Sequence, residues 1–305
     1  MTYQIISAIL EIFAMFAVGW LSRHWRYLTQ DTIANWSRFV LDIMMPFLIL
    51  HTIVGHFHAN QWVEFWVLPV LGLGIIVLGT LMGLMLKSGM KSQDPQIRKT
   101  FLHLCATNNF AFLPIIILQN LWGDSAVAML FILHLGTLVG FWSIGVGVLG
   151  EFNWKAAGKN MLTPSLITLI VAIVIVFLDL QRWIPSIFLK ISGEIGDASV
   201  PLILILIGAS LYQIKIRDDL RDLIYMTVVR LILIPLVTIG ILRILPISRE
   251  IYNVATILAL MPVASTSVIL THRYGGAPGF AAGANIVSTL CSIVTIPLWS
   301  AWVLK

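Results

Sequence analysis

Residues 99–120 read Lys99-Thr-Phe-Leu-His103-Leu-Cys105-Ala-Thr-Asn108-Asn109-Phe-Ala-Phe-Leu-Pro114-Ile-Ile-Ile-Leu-Gln-Asn120. A bilayer core of about 30 Å takes ~20 residues of helix, so this run is long enough to cross one. Two carboxamides interrupt it near its centre. In lipid every backbone polar group must find a partner, so a break at that depth has to be served by other parts of the chain.

Outward from this stretch the chain has the same character. Of its 305 residues, 59% are hydrophobic and 11% charged, against ~45–50% apolar in a soluble domain. Apolar runs fall near 4–22, 36–55, 63–86, 99–120, 126–149, 162–179, 187–212, 223–245, 251–272 and 279–303. Ten spans fill the chain and leave no room for an extramembrane domain. The alternation of a membrane barrel is absent, so the fold expected is an all-α polytopic membrane protein of ten transmembrane helices. No basic region precedes the first run, which is therefore expected to be a retained span and not a cleaved signal.

The formal charge of +5 is scattered over short loops, which speaks for orientation in the membrane and against nucleic acid. Of the 19 Lys and Arg, all but Arg182, Lys190, Arg230, Arg243, Arg249 and Lys305 fall in the odd-numbered loops. The positive-inside rule places those loops in the cytoplasm and both termini outside the cell membrane.

Five crossings per half would make the second half enter from the opposite face, the inverted repeat common among secondary transporters. Short echoes support this division. Pro46-Phe-Leu-Ile-Leu is echoed by Pro201-Leu-Ile-Leu-Ile, and Trp122-Gly-Asp124 by Tyr274-Gly-Gly276. The offset of the second echo carries Asn108-Asn109 onto Leu260-Met261, directly before Pro262. Residues 1–150 form the first repeat, 151–160 a short cytoplasmic linker and 161–305 the second repeat.

At 1.5 Å per residue, Pro46, Asn108, Pro201 and Pro262 all lie about 15–20 Å deep, near the bilayer midplane. Interrupted helices there are the mark of a substrate site: the second half of each offers free N–H groups and a partial positive charge. Ordinary proline kinking is the plainer explanation of any one of them. Asn108, Asn109, Ser265, Thr266 and Ser267 are candidate substrate contacts, with Pro46, Pro114, Pro201 and Pro262 shaping the site. Interhelical polar glue is the alternative for the amides and hydroxyls. Charges within spans are costly, which makes Asp42 a candidate carrier of a coupling proton or sodium ion. Arg230 is a candidate partner of a substrate carboxylate, unless its long stem snorkels to the interface. Neither cysteine suggests a disulfide or zinc site, and His51, His56 and His58 lack the partners of a metal centre. No Gly-x-Ser-x-Gly, His-Glu-x-x-His or P-loop occurs. Neither an enzyme, a metal nor an organic cofactor is expected.

Several blocks resemble the auxin efflux carrier family. They are Gly19-Trp20, Leu28-Thr-Gln-Asp31 and Ser37-Arg-Phe-Val40 ahead of Met45-Pro46; then Ile195-Gly-Asp-Ala-Ser-Val-Pro201 running to Gly208-Ala-Ser-Leu211; then Ala259-Leu-Met-Pro262, Tyr274-Gly-Gly276, Val287-Ser-Thr-Leu290 and Ile296-Pro-Leu-Trp299. The resemblance spans nearly the whole chain. It implies a permease for small organic anions, in a group that includes plant auxin carriers and bacterial malonate or malate permeases. It also implies a fold similar to the bile acid symporters, with spans one, two, six and seven as scaffold and spans three to five and eight to ten as a transport bundle. In such a bundle spans four and nine cross beside the substrate. Phe110-Ala-Phe-Leu-Pro114 departs from the more glycine-rich family pattern, and the long central loop of the large plant carriers is missing. The partners expected are a small organic anion, the lipid bilayer and a second copy in a homodimer. The rival readings are a sensor that binds ligand without flux, and a channel.

Overall fold

The computed structural model describes residues 2–58, 62–110, 112–150, 158, 161–212 and 220–304, with side chains from Ile5 onward. The expected linker 151–160 lies outside the described residues except for Gly158. Among the described residues every regular element is helical. In chain order these are α1 (Thr2–His24), α2 (Gln30–Phe39), α3 (Met45–His56), α4 (Trp62–Phe65), α5 (Val67–Leu86), α6 (Pro95–Ala106) and α7 (Phe112–Gly140). They continue as α8 (Pro164–Phe177), α9 (Ser186–Leu211), α10 (Leu220–Val228), α11 (Ile234–Ile244), α12 (Arg249–Ala259), α13 (Ser267–Tyr274) and α14 (Pro278–Val303). Among the described residues, seven continuous helical stretches are long and apolar enough to cross a membrane: Ile5–His24, Gln30–His56, Trp62–Gly89, Phe112–Gly145, Ser186–Leu211, Leu220–Ile244 and Pro278–Val303. The protein is a polytopic membrane protein.

Local chemistry sets the helix ends. Thr29 and Asp94 occupy N-caps, their side chains accepting the N–H groups of Thr32 and Gln96, and Thr163 does the same for Leu166 ahead of Pro164. Each cap satisfies a donor that the first turn cannot. Gly275 ends α13 in the left-handed region at φ 84°, a conformation glycine adopts without a Cβ penalty. Gly123 breaks α7 at φ 71°, ψ −166°, at the Trp122–Asp124 turn expected between spans four and five.

Two of the prolines, Pro46 and Pro235, follow wider turns, while Pro201 and Pro297 lie inside continuous α-helix. Between α2 and α3 the N–H of Met45 reaches back five residues to Val40, and between α10 and α11 that of Ile234 reaches Val229. Each wide turn precedes a proline, Pro46 or Pro235, whose ring would otherwise press on the carbonyl four residues earlier. The carbonyls left over are taken by distant side chains. Leu231 accepts the Trp299 indole N–H at 2.9 Å, and Leu41 accepts the Ser165 hydroxyl at 3.1 Å.

Helices pack through small residues, as expected where lipid supplies no hydrophobic drive between them. α9 packs on α1 and α3, and α8 also packs on α3. Gly19 and Gly208 let α1 and α9 cross backbone to backbone, because a Cβ on either would overlap the other helix. A second close pair is α5 with α7, where Gly136 rests on the Pro69 carbonyl. Large apolar side chains such as Leu10, Val63, Met85, Ile244 and Leu298 point outward, a surface that a bilayer covers and water would not tolerate.

Candidate functional site

Two helices come apart in the middle of the bundle, and they do so against each other. α6 ends at Ala106, Thr107 is extended at φ −111°, ψ 135°, and α7 resumes at Phe112. On the other side α12 ends at Ala259 and α13 begins at Ser267. The Asn109 N–H donates to the Pro262 carbonyl at 2.8 Å. Asn108 Nδ2 donates to the Leu258 carbonyl at 2.6 Å. Asn109 Oδ1 accepts the Phe112 N–H at 3.2 Å and so caps the start of α7. Each break thus supplies the partners that the other lacks.

α14 closes the crossing from the side. Asn285 Nδ2 donates to the Val263 carbonyl and to Ser265 Oγ, both at 3.1 Å, while Ser288 Oγ accepts the Val263 N–H at 3.2 Å. His103 ties the crossing to the wide turn Phe141–Gly145. Its Nδ1 donates to the Gly145 carbonyl at 2.6 Å, and its Nε2 faces Ser267 Oγ at 3.1 Å. A carbonyl can only accept, so the hydrogen sits on Nδ1 and a neutral ring accepts the Ser267 hydroxyl at Nε2. Phe110 stands at the edge, its ring 4.8 Å from that of His134.

Arg230 is the charge of the site. It is fully buried, so it does not snorkel. Its guanidinium donates to the carbonyls of Cys105 at 3.0 Å, Met261 at 3.1 Å and Ala259 at 3.4 Å. These carbonyls lie where α6 and α12 end, so the cation covers the negative ends of both first half-helices. None of the ion pairs among the described residues includes Arg230. The N-terminal ends of α7 and α13, positive by the helix dipole, begin at the two breaks. The buried Asn108 Oδ1 has no hydrogen-bond partner, leaving one acceptor for a water or a ligand donor.

The other sequence candidates fall into two sets. Pro262, Ser265, Thr266 and Ser267 all lie on the second break, with Ser265 half-buried on Asn285, Thr266 exposed and Ser267 buried on His103. Pro114 is buried in the first turn of α7, where its missing N–H costs nothing. Pro46 and Pro201 belong to another pair, α3 and α9, which meet where Gly196 rests on Leu48 and Ser199 Oγ lies 3.5 Å from Met45 Sδ. Asp42 is partly exposed and paired with Arg38 at 3.3 Å. Three contributors were not singled out in the sequence: Asn285, Ser288 and His103 as a bridge. Asn285 had a signal, a carboxamide closing the small-residue run Ala281-Ala-Gly-Ala.

Comparison with known proteins agrees with this architecture. A family model described as membrane transport protein matches residues 4–151 and 148–300. An uncharacterized transporter of Methanocaldococcus jannaschii is 27% identical over 305 residues, covering 98% of each chain. A second uncharacterized transporter, from Methanothermobacter thermautotrophicus, is 22% identical over 299 residues, with 96% of this chain and 97% of the relative covered.

Proposed function

The chain belongs to the membrane transport protein family, the auxin efflux carriers, and on that footing we propose that it is a secondary transporter of a small organic anion, a carboxylate such as malonate, malate or an auxin-like acid. The observation that carries this reading is the buried Arg230. Among the described residues its charge is met only by carbonyl dipoles, beside two half-helix N-termini that also favour an anion. Asn109 has its carboxamide oxygen committed to capping α7, which leaves its Nδ2 as a donor for the carboxylate.

In this proposal the chain crosses the membrane ten times as two inverted five-helix repeats, with both termini outside. α1, α2–α3, α8 and α9 form a scaffold, and the remaining helices carry the crossing past it, as an elevator. A proton gradient, a sodium gradient or the membrane potential drives the cycle, with Asp42 as the candidate coupling group. One elementary charge moved through 100 mV is worth ~2.3 kcal/mol, so an anion leaving a negative-inside cell needs no coupling ion and one entering does.

The test is counterflow in proteoliposomes. Unlabelled malonate or malate loaded inside is expected to accelerate saturable uptake of the labelled acid. A channel conducts without that acceleration, and a sensor gives binding without flux. Failure of every mono- and dicarboxylate to exchange, in protein shown to be folded, would overturn the anion assignment.

A further inference from the structure

We infer that Glu11 of α1 and Asn120 of α7 form the catch that holds the transport bundle at one of its two positions against the scaffold. The inference rests on the elevator reading above and names the side chains that set the resting position. Glu11 is an acid inside an apolar span: between Ile5 and Gly19 the only other polar side chain of α1 is Ser7. A carboxyl group there is costly and calls for a task. None of the ion pairs among the described residues includes Glu11. Its Oε2 instead accepts a hydrogen bond from Asn120 Nδ2 at 3.4 Å, across 109 positions of the chain.

Asn120 is set up to give that bond. Its Nδ2 also donates to the Ile116 carbonyl at 3.0 Å, one turn back on its own helix. A carboxamide nitrogen carries two hydrogens, so the first bond orients the group and the second hydrogen is left for Glu11. Next to it Gln119 Nε2 donates to Asp124 Oδ1 at 3.1 Å, which braces the turn at Gly123.

The bond joins the two bodies. The hydrogen bonds of the crossing lie within the bundle, whereas those of His51 with the Leu189 carbonyl and of Ser165 with the Leu41 carbonyl lie within the scaffold. α1 packs on both α7 and α14, and its residues from Ile12 to Gly19 are all apolar. Apolar contact is non-directional and lets one helix slide on another; a hydrogen bond fixes one register. That register is off-centre. Glu11 lies ~13 Å along α1 from Thr2, whereas Asn120 lies ~4 Å from the turn at Gly123. In the proposed orientation both of these ends face outside, so the tip of span four stands about 9 Å below the start of α1. Moving the bundle outward by that much takes Asn120 out of reach of Glu11.

Double electron–electron resonance on the full chain in nanodiscs reads the position of the bundle without any substrate. Spin labels are placed at Ile187→Cys on the scaffold and Ile244→Cys on the bundle, sites 61% and 81% exposed, with Cys291→Ser removing the exposed native thiol. The parent is expected to give one dominant distance. Glu11→Ala or Asn120→Ala should raise the population of a second distance about threefold or more, the loss of one hydrogen bond. Glu11→Gln keeps an acceptor and should fall between; it also serves if the alanine variants do not fold. Distances and populations that stay unchanged in the variants overturn the inference. Counterflow is scored in the same proteins, so a catch that fails while carboxylate exchange persists leaves the transport reading standing.

Discussion

Asn109 donates its backbone N–H to the carbonyl of Pro262 at 2.8 Å, and through that bond two interrupted helices from opposite halves of the chain complete each other. Unwound backbone in a bilayer survives only where protein or cavity water serves it. Here the crossing serves itself, with Asn108, Asn285, Ser288 and Arg230 filling the remaining positions.

Arg230 should be the least replaceable side chain of the crossing. Arg230→Met strands three buried carbonyls at ~1–3 kcal/mol each, which approaches the whole stability of a typical fold. It is expected to yield little monodisperse protein on size exclusion. Arg230→Lys retains a charge and three donors and should fold with a lowered melting temperature. A methionine variant that melts like the parent would show that the carbonyls find other partners.

Close helix contacts predict a contrast between two glycines. Gly136→Ala pushes a Cβ into the Pro69 carbonyl and should cost ~1–3 kcal/mol, as overpacking does. Gly74→Ala meets nothing within 4 Å and should be neutral or stabilising by up to ~1 kcal/mol. Thermal unfolding in detergent measures both, and equal melting temperatures would contradict the α5–α7 packing.

The interruptions themselves were legible in the sequence. Asn108-Asn109 and Leu260–Pro262 stand out as polar and proline breaks in apolar runs, and Gly123 falls in an expected turn. Their meeting was implied by the family resemblance and by the repeat offsets, not by any local pattern, since Asn108 and Leu258 are 150 residues apart. Arg230 was visible as a charge in a span, but its task was not. A long side chain can snorkel or turn inward, and only the position of Cys105, 125 residues away, decides between them. Asp42 was likewise visible as a charge within a span, and the structure places it in the wide turn Val40–Met44, partly exposed beside Arg38.

Asp42→Asn should leave the fold intact, because exposed ion pairs at this spacing contribute only ~0.3–0.5 kcal/mol. If Asp42 carries the coupling ion, the variant loses the pH or sodium dependence of flux in proteoliposomes. A dependence that persists unchanged would assign Asp42 a structural role only.

Orientation is open to a direct check. The distribution of Lys and Arg predicts an external C-terminus, so a tag after Lys305 should react with an impermeant reagent in intact cells. Labelling only after the cytoplasmic face is opened would reverse the topology.

The central claim, an anion held at the crossing by Asn109 beside Arg230, is tested most directly by thermal shift. The purified chain and its Asn109→Ala variant are screened against malonate, malate and indole acetate, with pH and sodium varied. The variant loses one cap, a cost of ~1 kcal/mol, and should remain folded. At least one carboxylate is predicted to raise the melting temperature of the parent saturably and to leave the variant unmoved. An equal shift in both proteins, or none from any carboxylate in folded parent, would contradict the account.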